Sequence, residues 1–134
     1  MVSAVIDNRL ENLAVSQDHE YYRLGILLLN RGMYESAWDH FNEAIKINPN
    51  ERIYFVMRGQ SSTNLGHYEA ALSDYNTAMN FPMNDRQKGL LYLDLSVLYL
   101  KMGDEQTSHS HLASAAKLGN GIAQNLCRYY GIPF

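Results

Sequence analysis

The sequence has a single cysteine, Cys127, and no run of lysine or arginine. One cysteine cannot form an intrachain disulfide, which excludes a disulfide-stabilised scaffold and favours a reducing compartment. The net charge of −3 comes from charges scattered along the chain, and without a basic patch a nucleic-acid partner is not expected. No apolar run approaches the roughly 18 residues of a membrane span, and the first residues lack the basic and apolar segments of a signal peptide. We therefore expect a soluble, cytoplasmic protein that binds neither nucleic acid nor membranes.

Sequence motifs of the common catalytic and metal sites are also missing. The chain contains no G-x-S-x-G elbow, no P-loop and no H-E-x-x-H sequence. Among the five histidines, the closest pair is His109 and His111, and two residues at this spacing on a helix point about 200° apart. Cys127 belongs to an apolar stripe of the last predicted helix, where a buried thiol acts as a small hydrophobe. The sequence thus predicts no enzyme activity, no metal site and no cofactor.

What the sequence does contain is a repeat with a step of 34 residues. Small and aromatic residues recur at this step, so that Gly25, Ala37, Phe41 and Ala44 correspond to Gly59, Ala71, Tyr75 and Ala78. A third, looser copy lies 37 residues further on, where Ala78 corresponds to Ala115. A period of this length is typical of stacked helical hairpins. We expect the small residues to let paired helices approach closely, while Phe41 and Tyr75 fill the space between successive pairs.

Apolar residues at helical spacing, interrupted by glycine and proline, predict the helices themselves. Helices are expected over residues 18–30, 34–47, 51–65, 68–81, 85–102, 104–118 and 121–130. The chain divides into an N-terminal amphipathic helix at 1–17 and a helical domain at 18–134. This domain comprises repeats at 18–51, 52–84 and 85–119, a capping helix at 120–131 and a short tail. The predicted fold class is all-α, a right-handed superhelical stack of three helix-turn-helix repeats with a helix at each end.

The repeat positions also match a known signature, W-x2-L-G-x2-Y followed by A-x3-F and a closing proline. The first copy reads Tyr21-x2-Leu24-Gly25-x2-Leu28, Ala37-x3-Phe41 and Pro49. The second reads Phe55-x2-Arg58-Gly59-x2-Ser62, Ala71-x3-Tyr75 and Pro82, and the third reads Tyr92-x2-Leu95-Ser96-x2-Tyr99, Ser108-x3-Leu112 and Ala115. Over residues 18–131 the chain therefore resembles the tetratricopeptide repeat family. Its C-terminal end, with Ala115–Asn120 and Tyr129-Tyr130-Gly131, resembles the Sel-like subfamily of these repeats.

The resemblance implies that the first helix of each hairpin lines a concave groove, which binds a peptide or a helix of a partner protein. By the family's geometry, this groove would present Tyr22, Ile26, Asn30, Val56, Gln60, Asn64, Leu93, Val97 and Lys101. Some members hold the C-terminal carboxylate of heat-shock chaperones with basic and amide side chains. Such a clamp is not expected here, because its places are taken by Tyr22, Ile26, Leu90 and Asp94. Three repeats behind an N-terminal helix also resemble the small type III secretion chaperones.

The segment from Leu90 to Leu100 is hydrophobic nearly all round, which predicts that both of its sides are buried. Its groove side would be covered by the N-terminal helix, by the tail Ile132-Pro133-Phe134, by a partner segment or by a second copy of the chain. The predicted function is a non-enzymatic protein-interaction module or adaptor. The alternatives are a homo-oligomerising scaffold subunit, which would make the chain a homodimer, and a small type III secretion-type chaperone.

Overall fold

A computed structural model of the protein describes residues 17–134 and contains seven helices and no strand within that range. The helices are α1 (Gln17–Asn30), α2 (Tyr34–Ile47), α3 (Arg52–Asn64), α4 (Tyr68–Met79), α5 (Asp85–Lys101), α6 (Glu105–Lys117) and α7 (Gly121–Tyr130). The helix predicted over residues 1–17 lies outside the described residues, apart from Gln17, which begins α1. The predicted all-α class is confirmed.

The helices form three antiparallel pairs in chain order, α1 with α2, α3 with α4, and α5 with α6. Each pair packs on the next through its second helix, and α7 packs on α6. The turn inside each pair has the same conformation, because it includes a glycine with φ of 75° at Gly32, 78° at Gly66 and 84° at Gly103. The sequence repeat is therefore also a repeat of backbone geometry.

Small residues bring the two helices of a pair into close contact. Ala37, Ala71 and Ala78 are completely buried, and Phe41 and Tyr75 are 0% and 1% exposed. The aromatic ring of the second helix lies directly against a glycine of the first helix, Phe41 against Gly25 and Tyr75 against Gly59. Ala115, the corresponding small residue of α6, is also completely buried. Side chains of this size let the helix axes come close while an aromatic ring fills the remaining space.

One arginine connects three helices on the side of the stack where the first two pairs meet. Arg58 on α3 donates two hydrogen bonds to the Asp74 carboxylate on α4, at 2.9 and 2.7 Å, and a third to Asn42 on α2 at 2.8 Å. Its guanidinium carbon also lies 5.7 Å from the ring centres of both Trp38 and Phe55. A planar guanidinium suits this combination of bidentate pairing and stacking.

The last pair and α7 form a separate apolar cluster at the C-terminal end. Its buried members are Leu112, Ala115, Ala116, Ala123 and Cys127, and Ile132 of the tail packs against it. Helix α7 begins at a capping residue, because the Asn120 side chain accepts a hydrogen bond from the Ala123 amide at 2.9 Å. No helix within residues 17–134 is long and apolar enough to cross a membrane.

Candidate binding groove

The first helices of the three pairs, α1, α3 and α5, lie side by side and form one face of the stack. Two cavities open between α3 and α5 on this face, with volumes of about 210 and 230 Å³. The first is lined by Gln60, Thr63, Asn64, Tyr75, Asp94, Val97 and Lys101. The second is lined by Arg52, Ile53, Val56, Met57, Gln60, Gln87, Leu90, Leu91, Leu93 and Asp94. We call the surface formed by these two cavities the α3–α5 groove.

The α3–α5 groove has a partly exposed apolar surface. On α5, Leu90 is 47% exposed and Val97 is 44% exposed, whereas Leu91, Leu95 and Leu98 on the opposite side are buried in the core. The expectation that both sides of this helix are buried is therefore wrong for residues 17–134. One face packs in the stack, and the other faces the groove, where the described part of the chain does not cover it. Apolar area of this kind gains free energy when a ligand removes it from water.

A polar pair separates the two cavities. Gln60 on α3 donates from Nε2 to both carboxylate oxygens of Asp94 on α5, at 3.2 Å each. Both residues line both cavities. Burial raises the pKa of Asp94 to about 6, although the hydrogen bond from Gln60 acts in the opposite direction. A half-buried carboxylate thus lies between the two cavities of the groove.

The predicted groove residues are distributed over three places. Six of them line the α3–α5 groove: Val56, Gln60, Asn64, Leu93, Val97 and Lys101. Among these, Val56 is 4% exposed and belongs to the core cluster, so it forms the floor and offers little surface. Ile26 and Asn30 on α1 line neither of the two cavities.

Tyr22 lies at the other end of the face, in a cavity of about 390 Å³ shared with Asp18, Asn48 and Tyr54. The Asp18 carboxylate accepts hydrogen bonds from Tyr54 at 2.7 Å and from Asn48 at 3.3 Å. Burial acts to raise the pKa of Asp18, but these hydrogen bonds outweigh it and hold the pKa below its usual value. These hydrogen bonds join α1 to α3, so the polar groups of the cluster are already satisfied by one another.

Sequence reasoning did not select Asp94 as a ligand-binding residue. The two repeat steps place different α5 residues beside Gln60, since a step of 34 leads to Asp94 and a step of 37 leads to Val97. The prediction followed the longer step and chose Val97. In the structure both residues line the cavity that contains Gln60, so the shorter step carried the signal that could have identified Asp94.

A larger cavity of about 500 Å³ lies beside the α3–α5 groove, between the start of α5 and the turn before α7. Its walls are Asp85, Arg86, Gly89 and Leu90 on α5 and the segment from Leu118 to Ile122, so Leu90 borders both this cavity and the α3–α5 groove. The site has no buried polar side chain to orient a ligand. It is therefore a weaker candidate than the α3–α5 groove.

Within residues 17–134, no group of three histidine, cysteine or acidic side chains lies close enough to hold a metal ion. Burial raises the pKa of the Cys127 thiol, which keeps it protonated and a poor nucleophile. His111 is packed between the rings of Tyr92 and Tyr99, at 5.7 and 5.3 Å, and burial lowers its pKa. Cys127 and His111 are thus packed among neighbouring side chains, as expected of residues with a structural role.

Comparison with known proteins identifies the repeat. Residues 20–51 match the tetratricopeptide repeat family, and this match confirms the resemblance inferred from the sequence for the first repeat. No curated protein sequence matches the chain.

Two solved structures share the fold over nearly the whole chain. One is described as PcrH in complex with the chaperone binding region of PopB, with a TM-score of 0.70, 22% identity, and coverage of 87% of this chain and 93% of that chain. The other is a T3SS complex from Aeromonas hydrophila, with a TM-score of 0.71, 20% identity, and coverage of 98% of this chain and 90% of that chain. At this level of identity the likeness establishes a common fold.

Proposed function

We propose that this protein is a non-enzymatic binding module that holds a segment of a partner protein in the α3–α5 groove. The observation that carries the proposal is the exposed apolar face of α5, where Leu90 and Val97 border the two cavities. A partner would bury these side chains and fill the cavities with a few of its own, which is how a small number of residues supplies most of the affinity of an interface.

The chaperone form of this role is supported by the fold comparison. PcrH was solved with the chaperone binding region of PopB, and its fold covers 87% of this chain. We infer that the present chain likewise keeps a segment of another protein bound before that protein is used, in the manner of a small type III secretion-type chaperone. The single thiol fits the cytoplasmic location that such a role requires.

The experiment is affinity capture with matched variants. Val97→Glu introduces a charge at the 44% exposed groove position, and Ile47→Glu introduces the same charge at a 43% exposed position at the end of α2. We expect Val97→Glu to lose partners that both the wild type and Ile47→Glu retain, with circular dichroism showing that all three are folded. Retention of the same partners by Val97→Glu would contradict the proposed site.

A second candidate is a homo-oligomerising scaffold subunit. It is favoured by the apolar surface of the C-terminal end, where Ile122, Tyr129 and Tyr130 are 60%, 81% and 62% exposed. Analytical ultracentrifugation distinguishes the two functions. A dimer that dissociates on Tyr129→Glu supports the scaffold, whereas a concentration-independent monomer removes it.

A further inference from the structure

Asp94 is the one carboxylate among the residues that line the α3–α5 groove. Asp94 lies on α5 between Leu90 and Val97, about one helical turn from each. Both cavities of the groove include it in their walls. Any segment that fills the two cavities together must therefore pass directly over Asp94.

Asp94 keeps acceptor capacity that the described chain does not use. A carboxylate offers about four lone-pair sites, and within residues 17–134 its only hydrogen-bond donor is the Gln60 amide nitrogen, shared between both oxygens at 3.2 Å. These distances lie at the long end of the N–H···O range. The remaining lone pairs are available to a ligand.

The described chain also leaves the charge of Asp94 without a cationic partner. Two cations line the cavities, Lys101 in one and Arg52 in the other. Lys101 lies two helical turns from Asp94 along α5, about 10 Å, and Arg52 lies eight residues before Gln60 on α3, about 12 Å. Neither forms an ion pair with Asp94 within 4.0 Å, unlike Asp74, which is paired with Arg58 at 2.7 Å.

A half-buried carboxylate without a cation opposes folding, because burial removes water from the charge and no neighbouring charge compensates. The raised pKa of Asp94 reports this imbalance. Such groups are concentrated at functional sites, where a ligand supplies the missing interaction. Here the missing interaction is a positive charge with N–H donors.

We propose that the segment bound in the α3–α5 groove carries a lysine or arginine side chain that pairs with Asp94, between apolar residues that occupy the two cavities. This inference rests on the proposed binding function and adds the chemistry of the ligand to it. The apolar flanks contribute binding free energy, and the ion pair fixes the register of the segment and excludes segments with an acidic residue at that place.

The test is selection of peptides from a displayed random library on the wild-type chain, on Asp94→Asn and on Asp39→Asn. Asp39 is exposed on α2, away from the groove, so its substitution removes the same charge without touching the site. We expect apolar peptides enriched in one lysine or arginine from the wild type and from Asp39→Asn. From Asp94→Asn we expect apolar peptides without that enrichment.

Affinity measurements on one selected peptide then locate the contact. Replacing its basic residue by glutamine should weaken binding to the wild type by about tenfold, as for a charge-assisted pair. The same replacement should change binding to Asp94→Asn by less than about twofold, because the charge that it pairs with is gone. Equal losses on both proteins would overturn the assignment to Asp94.

The remaining outcomes separate this inference from the function on which it rests. Apolar peptides selected by the wild type without any basic preference would overturn the cation contact and leave the binding function standing. If no peptide is selected and no partner is captured, both fail. Arg9 is the one basic residue among residues 1–16. If the selected peptides show a basic preference only after Arg9→Gln in the full chain, the site belongs to the chain's own first segment. If the protein is a dimer that dissociates on Asp94→Asn, the site belongs to a second copy, and either result overturns a partner ligand.

Discussion

Gly59 and Tyr75 touch so closely that the helix pair α3–α4 has no room for a methyl group between them. A Cβ at Gly59 would lie 2.7 Å from Cε1 and 2.9 Å from Cδ1 of the Tyr75 ring. The first pair contains the same relationship, with Phe41 Cε1 at 2.6 Å from the corresponding position at Gly25. The residue that recurs at the repeat step is therefore the one that sets the distance between paired helices.

Gly59→Ala should destabilise the protein although alanine is the better helix former. The Tyr75 ring is 1% exposed and cannot move into solvent, so the added methyl group forces the core to shift. Overpacking of this kind costs about 1–3 kcal/mol, which exceeds the gain of about 1 kcal/mol from replacing glycine inside a helix. Urea denaturation should show a lower free energy of unfolding.

Gly89→Ala is the matched control for Gly59→Ala, because Gly89 is also a buried glycine inside a helix. A Cβ there would meet its nearest atom, Asn120 Cβ, at 3.4 Å, which is ordinary contact. We expect this variant to be as stable as the wild type or more stable by up to about 1 kcal/mol. Equal destabilisation by both substitutions would show that close contact is not the cause.

Arg58→Lys should destabilise the protein even though it keeps the positive charge. Lysine cannot reproduce the paired hydrogen bonds to Asp74, the third bond to Asn42 and the stacking against Trp38. Asp74 is 5% exposed, so its carboxylate would be left partly unsatisfied. We expect a loss of about 1–3 kcal/mol in the free energy of unfolding.

The comparison for Arg58 is Arg23→Lys. Arg23 pairs with Glu20 at 3.1 Å on the surface, with side chains 67% and 60% exposed, and surface pairs of this kind add little stability. Its substitution should leave thermal denaturation unchanged. A similar loss in both variants would mean that the loss reflects arginine itself rather than the buried network.

Ser62→Ala should raise stability, because Ser62 Oγ is buried and has no hydrogen-bond partner among the described residues. Removing an unsatisfied buried hydroxyl relieves a desolvation penalty of about 1 kcal/mol. The neighbouring Ser61 is equally buried, but its hydroxyl donates to the Met57 carbonyl at 3.1 Å. Ser61→Ala should therefore be neutral or destabilising. A melting temperature that does not separate the two variants would contradict this difference.

The architecture could be predicted from the sequence because it depends on residue size at a fixed spacing. The glycine, alanine and aromatic positions of α1 to α4 are local features, and the predicted helix ends differ from the observed ones by at most two residues. The chemistry of the groove depends instead on how α3 and α5 are aligned. That alignment changes with the longer repeat step before α5. A step of 34 residues places Asp94 beside Gln60 and a step of 37 places Val97 there, and the sequence alone does not decide between them.

Asp94→Asn should stabilise the protein at neutral pH and not at acidic pH. Burial raises the pKa of Asp94 from 3.8 to about 6. Between these values the folded state holds more protons than the unfolded state, so the contribution of Asp94 to stability falls as the pH rises from about 4 to about 6 and is constant above that. Asparagine does not titrate and can still accept the hydrogen bond from Gln60. Above pH 6 the variant should exceed the wild type by about 1–3 kcal/mol, since each pKa unit corresponds to about 1.4 kcal/mol.

The measurement is urea denaturation of the wild type, Asp94→Asn and Asp39→Asn at pH 4 and pH 7.5. The stability difference between Asp94→Asn and the wild type should be small at pH 4 and positive at pH 7.5, while Asp39→Asn should follow the wild type because its side chain is exposed. A difference that is the same at both pH values would show that Asp94 does not titrate in this range. A decrease in the stability of Asp94→Asn at pH 7.5 would show that the carboxylate already has a cationic partner, because removing one member of a compensated pair is destabilising. That result would also remove the reason for expecting a basic residue in the ligand.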